Sequence, residues 1–152
     1  MSLKRSVVEF VLAQWARMMS GETVRSDKLR KIFVLRNNDI GDLIIVTPLF
    51  RALKEAFPKS EVVAGIGRWN FPVLQNNPYV DRVIEISAPW HNCKSALHAP
   101  GTLRGFLAAM DYLIRSREVK NVLRERFDVA IDVLGSFYGA MLFLKAKIPV
   151  RI

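Results

Sequence analysis

Cysteine and histidine are nearly missing from this chain. One Cys (Cys93) and two His (His91 and His98) occur in 152 residues. No internal disulfide can form, and no zinc constellation can be assembled. A lone Cys agrees with a reducing compartment, and neither a metal nor a cofactor is expected. Long apolar runs are missing too, since nothing approaches the ~20 residues that span a bilayer as a helix. Near the N-terminus Glu9 interrupts the apolar stretch and no Ala-x-Ala-like cleavage site follows, which argues against a secretory signal. Acidic residues are scarce: 14 Asp and Glu stand against 23 Lys and Arg, a formal charge of +9. That excess points to an anionic partner, whether a phosphorylated glycolipid, a membrane surface or nucleic acid. There is no internal repeat and no low-complexity tract.

What remains is a globular composition, 51% hydrophobic and 24% charged, of a length that makes one ordinary domain. Its organising stretch is residues 31–58, KIFVLRNNDIGDLIIVTPLFRALKEAFP. Ile32, Phe33, Val34 and Leu35 form an apolar run short enough for a buried strand. Residues 36–40 break the pattern with polar, turn-forming types. From Leu43 the apolar positions fall at Val46, Leu49, Phe50, Leu53 and Phe57, which predicts one helix closed by Pro58. Pro48, one turn inside it, should bend or loosen it. Strand, polar loop and helix make the first half of a βαβ unit, and in such units ligands sit outside the carboxyl end of the strand.

That loop holds the candidate site. Gly41 allows tight backbone geometry there, and Asp42 falls in the first turn of the helix, where unpaired N–H groups and the dipole favour an anion. A carboxylate so placed can take a proton from a substrate hydroxyl. An Asp at a helix start also serves simply to decorate that terminus, and both readings stand on this argument alone. Asn38 and Asp39 in the loop are candidate binding residues beside Gly41. Asp39 is the rival carboxylate, with less to fix its direction.

Gly41-Asp42, Thr47-Pro48, Arg51, Leu53 and Phe57-Pro58, taken together at these spacings, resemble the N-terminal signature of the family 9 glycosyltransferases, the bacterial lipopolysaccharide heptosyltransferases and their relatives. The resemblance continues through Asn77-Pro78-Tyr79-Val80-Asp81-Arg82-Val83 and through Phe127-Asp128 to Gly135, and ends at Arg151-Ile152. It covers residues 31–152 and leaves the first 30 outside. It implies the N-terminal, acceptor-binding half of a two-domain GT-B enzyme with Asp42 as its base. The implied acceptor is an anionic glycolipid of the lipid A-core type. A nucleotide sugar of the ADP-heptose type would be bound by a C-terminal half. The implied place is cytoplasmic, peripheral at the inner face of the inner membrane. No donor half precedes Ile152, so the chain alone is expected neither to transfer sugar nor to bind a sugar nucleotide tightly.

The rest of the chain supports an α/β fold. Residues 61–66 read as a second strand, 71–75 as a short helix and 82–86 as a third strand. The loop of residues 87–101 is long enough to expect a function. In the resembled family the corresponding region is mobile and basic and helps hold the acceptor, which makes Arg68, Lys94 and Arg104 candidates. The apolar spacing over 102–126 predicts one long helix. Residues 129–133 read as a fourth strand, and Gly135-Ser136 as the turn into a helix over 137–145. Leu134 stands where the family usually has a polar Gln, so binding there falls to Gly135 and Ser136. Arg151-Ile152 reads as the start of a further strand. Alternating strands and helices predict a Rossmann-like parallel sheet with helices on both faces.

Two units are expected. Residues 29–152 form the Rossmann-like domain. Residues 1–28 hold an amphipathic helix over 2–19 and a polar link. Leu3, Val7, Phe10, Val11, Trp15 and Met18 give that helix an apolar face, suited either to a membrane surface or to packing on protein. The rival function is a non-catalytic basic module that binds anionic membrane or nucleic acid; under the transferase reading no nucleic acid is expected.

Overall fold

The computed structural model describes residues 29–90 and 102–152, so the helix expected over 2–19 and its link lie outside the described residues. Strands β1 (Lys31–Arg36), β2 (Glu61–Ile66), β3 (Arg82–Glu85), β4 (Val129–Asp132) and β5 (Val150–Arg151) form one sheet in the order β3-β2-β1-β4-β5. Every neighbouring pair is parallel. The helices are α1 (Ile40–Ile44), α2 (Thr47–Ala56), α3 (Phe71–Leu74), α4 (Leu103–Arg115), α5 (Arg117–Arg124) and α6 (Phe137–Lys145). This is the Rossmann-like parallel α/β architecture that the alternation of strand and helix predicts.

The side-chain period of two along β1 sorts its residues between two cores. Phe33 and Leu35 join Ala109 and Leu113 of α4, Val119 and Val122 of α5, and Leu142 and Phe143 of α6. Ile32 and Val34 join Leu43, Val46, Phe50 and Leu74 on the opposite face. Phe33 stacks on Phe127 at 4.8 Å between centroids and meets Phe143 edge-on at 6.0 Å. Its ring also fills the space where a side chain at Gly65 would stand.

Two expected helices are each divided in two. The first breaks at Ile45 and Val46, ahead of Pro48. Pro48 occupies the second position of α2, where its missing N–H costs nothing. The second, expected over 102–126, breaks at Ser116. That residue is extended (φ −57°, ψ 139°), and its hydroxyl accepts from the N–H groups of Glu118 and Val119. The reason is geometric: at 100° per residue, Leu113 and Val122 would stand about 180° apart on an unbroken helix. The break lets both reach one core.

At the amino end of the sheet, Asp128 Oδ2 accepts from the backbone N–H groups of Arg30 and Lys31 at 2.8 and 2.9 Å, tying the start of β1 to β4. Beside it Lys31 and Arg82 each contact both Glu61 and Glu125, at 2.8–3.2 Å. Hydrogen bonds from Arg82 and then from Lys31 hold the Glu125 carboxyl down from 4.5 to about 2, against the opposing effect of its burial. A depressed carboxylate stabilises the fold fully above its unfolded value and loses that contribution as pH falls. The urea midpoint should therefore drop between pH 4.5 and about 2. Glu125→Gln should flatten that part of the profile, and an unchanged profile would show that the ring contributes nothing.

Candidate active site

Because all strands are parallel, the loops after β1, β2, β3 and β4 leave the same, carboxyl edge of the sheet. Residues 37–39 and 133–136 thus share one edge, and Val133 N–H donates to Leu35 O across it at 3.4 Å. The loops are tied to one another. Trp69 Nε1 and Asn70 Nδ2 both donate to the Asn38 carbonyl, at 2.9 and 2.7 Å. Asn37 Nδ2 donates to the Trp90 carbonyl at 3.3 Å. The Trp90 ring stacks on Tyr138 and meets Tyr112 edge-on.

Asp42 lies on α1, half-buried, at this edge. Its Oδ1 is 3.1 Å from Nη2 of Arg36, the last residue of β1. Arg36 is only 8% exposed, and its Nε is buried without a hydrogen-bond partner. A guanidinium kept there carries a desolvation cost that packing alone would not require. The pair fixes the direction of the carboxylate and leaves Oδ2 without a hydrogen-bond partner among the described residues. In the sequence Arg36 reads as one of several polar loop residues. Its signal was its place, a cation ending an otherwise apolar central strand.

The other candidates fall in different places. Asp39 is exposed at the N-cap of α1 and its side chain makes no capping bond. Gly41 is within α1, and a Cβ there would meet nothing within 4 Å. What the glycine leaves is open space one residue from Asp42. Arg68 opens a one-turn 3₁₀ helix after β2, beside Trp69 and Asn70, and its N–H donates to Ser87 Oγ at 3.3 Å. Arg104 sits exposed in the first turn of α4, and no ion pair among the described residues joins it to Asp42. Lys94 lies outside the described residues.

Gly135 has φ +62°, the left-handed conformation that favours glycine. Ser136 caps α6: its hydroxyl accepts from Gly139 N–H at 2.9 Å and donates to Asp132 Oδ2 at 2.6 Å. The Ser136 and Leu134 N–H groups also donate to the Asp132 carboxylate, at 2.8 and 3.1 Å. The turn therefore uses both donors of Ser136 internally, and Asp132 is its organiser. In the sequence Asp132 reads only as a strand residue. An Asp ending a strand four residues before a serine N-cap is the pattern that could have revealed it.

The arrangement defines a class first: a Rossmann-like α/β unit with an arginine-held carboxylate at the end of its central strand. Comparison with known proteins narrows it. No family model matches the chain. Lipooligosaccharide heptosyltransferase 2 of Haemophilus ducreyi is 25% identical over 121 residues, covering 80% of this chain and 30% of that protein. The structure of E. coli ADP-heptose lps heptosyltransferase II matches with a TM-score of 0.56 and 21% identity, over 80% of this chain and 29% of that one. A family 9 glycosyl transferase from Veillonella parvula matches with a TM-score of 0.56 and 21% identity, over 87% and 33%. The resemblance to the family 9 glycosyltransferases therefore holds in sequence and in fold, as one unit of the GT-B type. The chain spans about a third of the length of these relatives, 30% in the case of the H. ducreyi protein.

Removing the Asp132 side chain should leave the Leu134 and Ser136 donors unsatisfied. Asp132→Ala is expected to cost about 1–3 kcal/mol in urea unfolding. Amide exchange at Ser136 should accelerate more than the global loss explains. Equal protection in both proteins would show that the carboxylate does not hold the turn.

Proposed function

We propose that residues 29–152 form the acceptor-binding unit of an inverting, heptosyltransferase-like glycosyltransferase, and that Asp42 is its base. The observation that carries this is the Arg36–Asp42 pair at the carboxyl edge of β1, in a fold and sequence similar to heptosyltransferases. In the proposed reaction an acceptor hydroxyl attacks the anomeric carbon of a nucleotide sugar of the ADP-heptose type, held by a second domain. Asp42 Oδ2 takes the hydroxyl proton as the new C–O bond forms, and the nucleoside diphosphate leaves with the electron pair of the broken bond. Arg36 holds Oδ1 and so aims Oδ2. Open space at Gly41 gives the acceptor its approach.

The acceptor in this reading is an anionic glycolipid of lipopolysaccharide core assembly, which suits the charge of +9. Arg68, Lys94 and Arg104 are its proposed anion contacts, with Asn38, Asp39, Gly135 and Ser136 bordering the cleft. The proposed location is the cytoplasmic face of the inner membrane, with residues 2–19 as a membrane-surface contact. Among the described residues no helix is long and apolar enough to cross a membrane. The alternative of a non-catalytic anion binder is not favoured by these similarities.

The test uses the smallest form of the protein that transfers sugar. Asp42→Asn keeps the shape but removes the proton acceptor, and should lower kcat roughly 10²–10⁴-fold with acceptor binding retained. Asp39→Asn should cost far less. Near-normal kcat in Asp42→Asn would overturn the assignment.

Arg36 is a positioning residue in the same scheme. Arg36→Met should lower kcat roughly tenfold or more with KM little changed, because it loosens a group used in the transition state. Arg36→Lys should recover part of the loss. If Arg36→Met raised KM alone, the arginine would be a binding residue instead.

A further inference from the structure

The outer face of α4 carries a surface that the cleft does not use. Leu103, Leu107 and Ile114 are 74%, 56% and 59% exposed. At these spacings they share one side of the helix, with partly buried Met110 between them. Ala109 and Leu113 on the adjoining side are already buried in the core. The ridge is therefore surplus to folding. Single exposed leucines are ordinary, whereas a stripe running the length of a 13-residue helix marks an interaction surface.

The charges around it choose the partner. Residues 102–126 contain six Lys and Arg against three Asp and Glu. Each of the three carboxylates is already engaged. Asp111 pairs with Arg115 at 3.1 Å. Glu118 turns inward to accept from the Tyr112 hydroxyl and from Ser87 N–H. Glu125 is held by Lys31 and Arg82. Arg104, Arg117, Lys120, Arg124 and Arg126 consequently have no carboxylate partner among the described residues. Arg104 stands beside Leu103 at one end of the ridge and Arg117 three residues beyond Ile114 at the other. Lys120 and Arg124 continue the Arg117 side along α5 at helical spacing.

We propose that this face docks on an anionic lipid bilayer, with the α4 ridge at the boundary between headgroups and acyl chains and the cations on the lipid phosphates. An amphipathic helix lying in the interface needs this combination of exposed leucines and unneutralised Lys and Arg. Apart from Arg104, which the sugar-transfer reading also uses, the residues of this contact do not depend on that reading, and they are separate from residues 2–19. A second copy of the chain would find the same uncompensated cations facing it, which disfavours self-association through this face.

The experiment places an environment-sensitive fluorophore on the ridge of the full chain, at Leu107→Cys in a Cys93→Ser background. Added vesicles containing phosphatidylglycerol should shift its emission to the blue. Phosphatidylcholine vesicles should not, and high salt should reverse the shift. In co-sedimentation, Leu103→Glu with Leu107→Glu should weaken partitioning roughly tenfold. Arg117→Glu with Lys120→Glu should weaken it at least about fivefold for each cation removed. Circular dichroism should show both pairs folded. The proposal fails if the label stays in a watery environment while the chain sediments with the vesicles, because residues 2–19 would then carry the binding. It also fails if the label is already buried before vesicles are added, which would mean that another part of the chain or a second copy covers the ridge.

Discussion

Everything about this unit follows from burying its central strand on both faces. β1 has neighbours on either side, β2 and β4, and its Ile32–Leu35 stretch contributes alternately to two separate cores. No charge is tolerable along that stretch, so β1 can place polar chemistry only at its ends. The amino end carries Lys31, which with Arg82, Glu61 and Glu125 forms a ring of ion pairs, and which is tied to β4 through Asp128. The carboxyl end carries Arg36, turned onto Asp42. The first end holds strands together, and the second aims a carboxylate. A parallel sheet makes this division automatic, because every strand delivers its loop to the same edge.

The parts of the fold legible in the sequence were those governed by periodicity. Apolar runs bounded by polar turns located four of the strands to within a residue or so, and β1 and β2 were recognisable because both faces of each are apolar. The helix breaks were less visible. Ser116 interrupts a stretch whose apolar spacing looks continuous, and only the demand that Leu113 and Val122 share a core forces the bend there. Such a demand is tertiary, so local spacing could not express it. The same applies to Asp128, which accepts bonds from the Arg30 and Lys31 backbone donors that only the folded chain brings near, whereas the donors to Asp132 lie only two and four residues further along the chain.

Charge tells a similar story at larger scale. A net charge of +9 indicates an anionic partner without saying where. The fold answers by using carboxylates selectively: Glu61 and Glu125 serve the amino edge, Asp132 serves a turn, and Glu118 serves a partly buried tyrosine. Cations on the outside of α4 and α5 are left over. Several acids are thus taken up internally, and cations on α4 and α5 are left without carboxylate partners among the described residues, near the exposed leucines of α4.

In the sequence Asp42 stands at the N-terminus of a long predicted helix, where dipole and unpaired N–H groups would hold an anion. That helix is in fact a five-residue segment ended by the break at Ile45 and Val46. So short a helix aligns few peptide dipoles, and the field at its start is correspondingly weak. The carboxylate is instead held by a full charge, Arg36, carried at the end of the central strand of the sheet. This matters for chemistry, because a strand-borne guanidinium fixes one oxygen in direction as well as in charge, whereas a helix terminus fixes neither sharply. The short α1 then has a different use. With Gly41 exposed and no atom near its missing side chain, it presents Asp42 on a low, open turn that a full-length helix with ordinary side chains would have screened.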